Sequence, residues 1–139
     1  MMPVAKVNEH MNVDDKRAKH LRVTDPSPWI ARFAGLVPSH GTVLDLACGG
    51  GRHSAVFLEK GNAVTAIDKN TDAISDRLGR HANLEIITAD LETGASPFFN
   101  GGPLAGRSYD GIVVVNYLYR DHMDALLRCL KPGGVLLYE

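Results

Sequence analysis

The segment Thr42-Val43-Leu44-Asp45-Leu46-Ala47-Cys48-Gly49-Gly50-Gly51-Arg52-His53 leaves this chain few folds to adopt. An apolar run of the kind found in a buried strand passes into a stretch of small residues, and a helix-compatible sequence follows. Glycines let the backbone turn tightly and let another group approach where a side chain would collide. The N–H groups in the first turn of the following helix attract negative or polar atoms. Three adjacent glycines with no bulky neighbour are more than a tight turn needs.

The rest of the chain fits a sheet built around that segment. Apolar runs at residues 43–46, 63–67, 84–89, 111–115 and 135–138 each read as a strand. Several are nearly continuous rather than alternating, as in strands buried on both faces of a parallel sheet. Helices are expected between them. Trp29, Ile30, Phe33, Leu36 and Val37 share one face behind Pro28, which suits a first helical turn. Residues 52–60, closed by Gly61, and 71–78 supply two more helices. Tyr119, Met123, Leu126, Leu127 and Leu130 form a helical stripe that stops at Lys131-Pro132-Gly133-Gly134, where a helix must turn into a strand. Such alternation implies right-handed crossovers and a doubly wound α/β sheet. Residues 92–108, rich in Gly and Pro, are expected to form a surface loop with at most a short helix. Residues 1–24 read as a polar leader with room for one helix, and residues 25–139 as the domain.

A length of 139 residues favours one domain with a real core. The formal net charge of -1 provides no basic field for nucleic acid or an anionic membrane. The apolar stretches fall short of the roughly 20 residues that cross a bilayer, and the polar start lacks the apolar core of a signal peptide. Cys48 and Cys129 have neither CxxC spacing nor a His/Cys cluster around them, so neither a disulfide framework nor a zinc site is indicated, and a reducing cytoplasm is expected.

Two further acids join Asp45 at the ends of predicted strands. Asp68 follows the second strand, about 20 residues after the glycines, where a carboxylate can accept from both hydroxyls of a ribose. Asp90 follows the third, in Thr88-Ala89-Asp90-Leu91. Any one of them reads equally well as a helix cap or turn residue. Three together, at the strand ends where open α/β sheets bind ligands, point to a ligand.

Residues 43–51 resemble the first motif of class I S-adenosylmethionine-dependent methyltransferases, and Leu130-Lys131-Pro132-Gly133-Gly134-Val135-Leu136 resembles their turn into the fifth strand. The resemblance covers roughly residues 28–139. Gly51-Arg52-His53-Ser54 with Asp68-Lys69-Asn70 is similar to the tellurite-resistance-type branch. The resemblance implies a Rossmann-like, mostly parallel sheet in three αβα layers, with S-adenosylmethionine as cofactor. Asp45, Ala47, Cys48, Gly49 and Gly51 would surround its methionine half. Asp68 would hold the ribose hydroxyls, Lys69 would lie against adenine, and Asp90 with the Leu91 N–H would meet the adenine edge. Asn116 and Tyr117 would line the path to the methyl group. Ala47 stands where the family often has glycine. The sequence ends at Glu139, before the usual C-terminal strands, so the resemblance implies a shortened domain whose fifth-strand edge is open to a homodimer.

The implied reaction is methyl transfer to an acceptor the sequence does not identify, expected to be a small molecule. No catalytic residue can be assigned. Tyr117, Tyr119, His122 and His53 stand near strand ends or helix starts, and Arg22 and Arg52 could meet a carboxylate, but each also reads as an ordinary packed or solvated side chain. Two rivals remain: a cofactor-binding domain without catalysis, and a nicotinamide-dependent oxidoreductase. The third glycine of GxGxxG is absent, which counts against the latter.

Overall fold

In the computed structural model, which describes residues 24–139, each of the five apolar runs becomes a strand. These are β1 (Thr42–Leu46), β2 (Ala63–Asp68), β3 (Leu84–Thr88), β4 (Tyr109–Val114) and β5 (Leu130–Tyr138). All pair in parallel, in the order β3-β2-β1-β4-β5. The chain moves outward from β1 to β3, then crosses back to add β4 on the other side of β1. The strand order therefore reverses between β1 and β4, and a crevice opens at such a point beyond the strand ends.

Among the described residues, four α-helices flank the sheet: α1 (Pro28–Phe33), α2 (Arg52–Glu59), α3 (Asp72–Leu78) and α4 (Met123–Arg128). Alternation along each strand sends side chains to opposite layers. Val43, Val64 and Val113 pack with Ile30 of α1 and Phe57 of α2. Leu44, Leu46, Ile112 and Val114 face the other way, against Ala125 and Leu126 of α4. Ala66 meets Ile74 of α3 in a smaller cluster. The result is the expected three-layer α/β arrangement, with apolar area buried on both sides of the central strands supplying the main driving force.

The first helix is shorter than the sequence reading, ending at Phe33 in a 3₁₀ turn over Ala34–Leu36, and Trp29 and Leu36 of its expected apolar face are exposed. Three further details depart from that reading. The stripe expected from Tyr119 to Leu130 is interrupted: a 3₁₀ turn occupies Arg120–His122, α4 starts only at Met123, and Leu130 already belongs to β5. The Lys-Pro-Gly-Gly turn is absorbed into β5 as an irregularity, because Leu130 pairs with Tyr109 and Val135 with Gly111, leaving residues 131–134 opposite Asp110. Asp110 stitches this corner together, accepting from the Thr42 N–H at 2.8 Å and from Lys131 Nζ at 3.5 Å. Finally, residues 92–108 form turns as expected, yet Phe98 and Leu104 drop from them into the core. The leader expected over residues 1–24 lies, apart from Thr24, outside the described residues.

Gly51 fixes where α2 begins. It is the cap before Arg52, with φ 83°, and a Cβ there would stand 2.6 Å from Cγ1 of Ile74. Both the left-handed backbone and the close packing against α3 exclude a side chain. Gly51→Ala should therefore destabilise the fold by about 2–4 kcal/mol, the sum of a left-handed penalty and overpacking. Urea denaturation checks this, and an unchanged midpoint would contradict it.

Candidate functional site

A cleft of about 360 Å³ opens at the strand ends, at the reversal between β1 and β4. Ala47 and Gly49 come from the turn after β1, Asp68 and Lys69 from the end of β2 and the residue after it. Asp90, Leu91, Glu92 and Thr93 follow β3, while Val115, Asn116 and Tyr117 follow β4. Four loops that are distant in sequence thus meet where the topology requires. Asp45 and Cys48 line a narrower cavity on the α2 side, together with Gly50, Arg52 and His53, and Ala47 and Val115 border both spaces. Gly51 lines neither, and its role in the turn is the packing described above.

The turn after β1 is held by hydrogen bonds to β2. The Cys48 N–H donates to the Ile67 carbonyl at 3.1 Å, and the Gly49 N–H to Asp68 Oδ2 at 2.8 Å. Asp68 Oδ1 accepts from the Lys69 N–H at 2.7 Å. The Asn70 N–H also reaches Oδ1, at 3.5 Å, so it is Oδ2, with its single bond, that keeps a lone pair for a further donor. Ala47 and Asn116, which follow the paired strands β1 and β4, both adopt left-handed backbone conformations, with φ 57° and 56°. Asparagine tolerates this readily; for alanine it costs about 1–2 kcal/mol. Strain of this kind concentrates where a binding surface dictates the backbone.

Asp90 shapes the next wall. Its Oδ1 accepts from the N–H groups of Glu92 and Thr93 at 2.9 and 3.1 Å, and its Oδ2 from the Thr93 hydroxyl. Chiefly the Thr93 hydroxyl, then the two amides, hold its pKa down at about 2. The sequence reading missed Glu92, Thr93 and Val115 as cleft residues. A signal for Thr93 was available, since an acid followed three residues later by a hydroxyl can close a local turn.

Tyr117 lends part of its ring to the cleft, but its hydroxyl is buried and has no hydrogen-bond partner among the described residues. Burial, then the charge of Glu92, pushes its pKa up, so it is a protonated hydroxyl at neutral pH. His53 and His122 are both buried, whereas exposure was one reading of each. His53 Nε2 accepts from the Ser27 N–H at 3.0 Å, and the Ser27 hydroxyl reaches Glu139. Arg52 donates to the Asp25 carbonyl at 3.2 Å. The segment ahead of α1 is thereby tied to the start of α2 and the end of β5. Arg22 lies outside the described residues. Tyr119 is not on a helical face; its hydroxyl donates to the Glu92 carbonyl at 3.4 Å.

Among the described residues, no group of His, Cys, Asp and Glu is placed to hold a metal ion, and no helix is long and apolar enough to cross a membrane. Residues 43–134 match the methyltransferase-domain family. The chain belongs to that family. Similar proteins include the tRNA U34 carboxymethyltransferase of Methylococcus capsulatus, 31% identical over 119 residues, covering 80% of this chain and 36% of that protein. Malonyl-[acyl-carrier protein] O-methyltransferase of Salmonella typhimurium is 31% identical over 99 residues, covering 70% and 38%. Among solved structures, a methyltransferase from Thiobacillus denitrificans, in complex with S-adenosyl-L-homocysteine, superposes with a TM-score of 0.66 at 18% identity, covering 99% of this chain and 56% of that one. The chain spans less than half the length of the curated relatives it matches.

Within this methyltransferase domain, Asp45 is the group most at odds with its surroundings. Its carboxylate is 3% exposed, faces the α2 layer, and accepts from the Ser54 hydroxyl at 2.7 Å. Desolvation raises its pKa to about 6, against the lowering effect of the Ser54 bonds. The native state therefore keeps a proton that the unfolded chain releases between pH about 4 and 6. This contribution to stability is complete below that window and lost above it, a swing on the order of 3 kcal/mol. Asp45→Asn, which keeps an acceptor for Ser54 without the charge, should stabilise the protein at pH 7. The gap between variant and parent should narrow to about a third on acidification to pH 4.5. Chemical denaturation at the two pH values tests this, and a gap that does not narrow would contradict the assignment.

Proposed function

We propose that the cleft takes S-adenosylmethionine and that the domain, residues 25–139, transfers its methyl group to a small-molecule acceptor. The observation that supports this most is the convergence of Asp68, Asp90 and the glycine turn on one cleft at the strand reversal. The donor and acceptor set suits an adenosyl ligand. Carboxylates are available for hydroxyl and amino groups, backbone N–H groups edge the turn, and small residues leave room beside it. The volume lies within the roughly 300–1,000 Å³ usual for small-molecule sites.

In this reading Asp68 holds the ribose hydroxyls, and Lys69, Asp90 and the Leu91 backbone frame the adenine. Ala47, Cys48 and Gly49 border the methionine portion, with Asp45 beneath it and Gly51 fixing the turn. A buried charge that the fold alone does not need becomes intelligible if Asp45 faces the ligand's ammonium group. Asn116 and Tyr117 stand at the acceptor's approach, where Tyr117 contributes part of its ring while its hydroxyl stays buried.

The cofactor supplies a methyl group on a sulfonium, already activated for in-line displacement. The chain's own contribution is positioning and exclusion of water, which can lower a barrier by roughly 7–11 kcal/mol. The relatives named above act on different acceptors, so kinship does not choose one. The net charge of -1 and the lack of a basic field favour a small molecule over nucleic acid.

Calorimetric titration of the full chain should show S-adenosylhomocysteine binding at one site and no NAD(H) binding. Asp68→Ala should weaken the first by about 10- to 150-fold, the equivalent of one charged hydrogen-bond partner. Binding of NAD(H) alone would overturn the reading, and an unaffected Asp68→Ala variant would overturn the residue assignment.

A further inference from the structure

Two walls of the cleft approach from opposite directions, residues 90–93 after β3 and residues 115–117 after β4. The link between them lies behind the cleft. His122, 6% exposed in the 3₁₀ turn before α4, presses its Nε2 to the Leu91 carbonyl. A carbonyl can only accept, so Nε2 carries the hydrogen. The ring stands edge-on to Phe98, with centroids 5.4 Å apart, and 4.6 Å from the ring of Tyr119. Tyr119 in turn donates to the carbonyl of Glu92. Two consecutive carbonyls of the β3-side wall are therefore held from the β4 side. The two amides after them, those of Glu92 and Thr93, are held by Asp90.

We propose that His122 is a positioning residue that latches the wall after β3 to the segment after β4 and so sets the geometry of the cleft. An apolar side chain would fill this space among Phe98, Leu91 and Leu126 without the cost of burying a polar ring. What the imidazole adds is a directed hydrogen bond. By fixing the Leu91 peptide it aims the Asp90 turn, on which two cleft residues depend, and a displacement of about 1 Å in such a wall is enough to impair a site. As far as it concerns the ligand, the proposal rests on the cofactor reading above.

The test compares the full chain with His122→Phe, which keeps a ring and loses the donor, and His122→Gln, which keeps an N–H donor. Hydrogen–deuterium exchange at the Glu92 and Thr93 amides reads the latch without any ligand. Exchange there should quicken about tenfold in His122→Phe, with β1 and β4 amides still protected, and return close to the parent's rate in His122→Gln. Affinity for S-adenosylhomocysteine should follow the same order, about tenfold weaker and then largely restored. Unchanged exchange in His122→Phe, or equal loss in both variants, overturns the latch. If His122→Phe does not fold, Tyr119→Phe decides: it must quicken the same two amides, and parental rates overturn the proposal. A parent chain that binds no S-adenosylhomocysteine overturns the cofactor reading instead, while the exchange data still judge the latch.

Discussion

The hydrogen bond from the Gly49 N–H to the Asp68 carboxylate, 2.8 Å long, joins the turn after β1 to the end of β2. With the Cys48 N–H on the Ile67 carbonyl, it carries the β1–β2 pairing past the ends of both strands. This allows the turn to stay open toward the cleft while its backbone runs through left-handed conformations at Ala47, Gly49 and Gly51. The penalty at Ala47, about 1–2 kcal/mol, is of the same size as a hydrogen bond to a charged acceptor, about 1.5–3 kcal/mol. Asp68 therefore has two roles in one carboxylate: it organises the turn from within, and its Oδ2 keeps a lone pair for an outside donor. Any ligand that uses Asp68 meets a group already aimed, without the entropy of ordering it.

Asp45 represents the opposite balance. Strand alternation directs it into the layer where Val43 packs against α1 and α2, a position the fold could fill with an apolar side chain at no cost. Instead it carries a carboxylate with a hydroxyl partner from Ser54. Breaking the local rule for buried positions without a compensating gain in packing is characteristic of sites kept for binding. The two acids at neighbouring strand ends thus divide the labour: Asp68 stabilises the geometry it uses, and Asp45 is tolerated by it.

The scaffold was readable from sequence because it rests on local pattern. Residues 43–46, 63–67 and 111–115 are nearly continuous apolar runs, as strands buried on both faces of a parallel sheet require. Gly51 announces the start of α2 because its backbone angle and its contact with Ile74 leave no alternative. The readings that slipped depended on partners far along the chain. Tyr119 fits a helical stripe by spacing, but its hydroxyl is drawn to Glu92, 27 residues away, and the helix starts later. Phe98 and Leu104 sit in a segment whose Gly and Pro content indicates surface, yet they fill the layer beside α4, where no long helix follows β3.

The same division runs through the cleft. Its β1 and β2 side is made of short-range features: a glycine turn, an acid one strand later, and bonds between adjacent strand ends. Its β3 and β4 side depends on a histidine and a carbonyl 31 residues apart, and on aromatic rings whose packing no periodicity encodes. A histidine in a polar stretch such as Arg120-Asp121-His122 gives no sign in sequence that it will be buried. Long-range hydrogen bonds form only after the sheet has brought their ends together, so the second wall inherits its precision from the first. The β1 and β2 half of the cleft can then be fixed by the sheet, while the β3 and β4 half is set by side-chain contacts. Those contacts can change without disturbing β1, β2 or the turn between them.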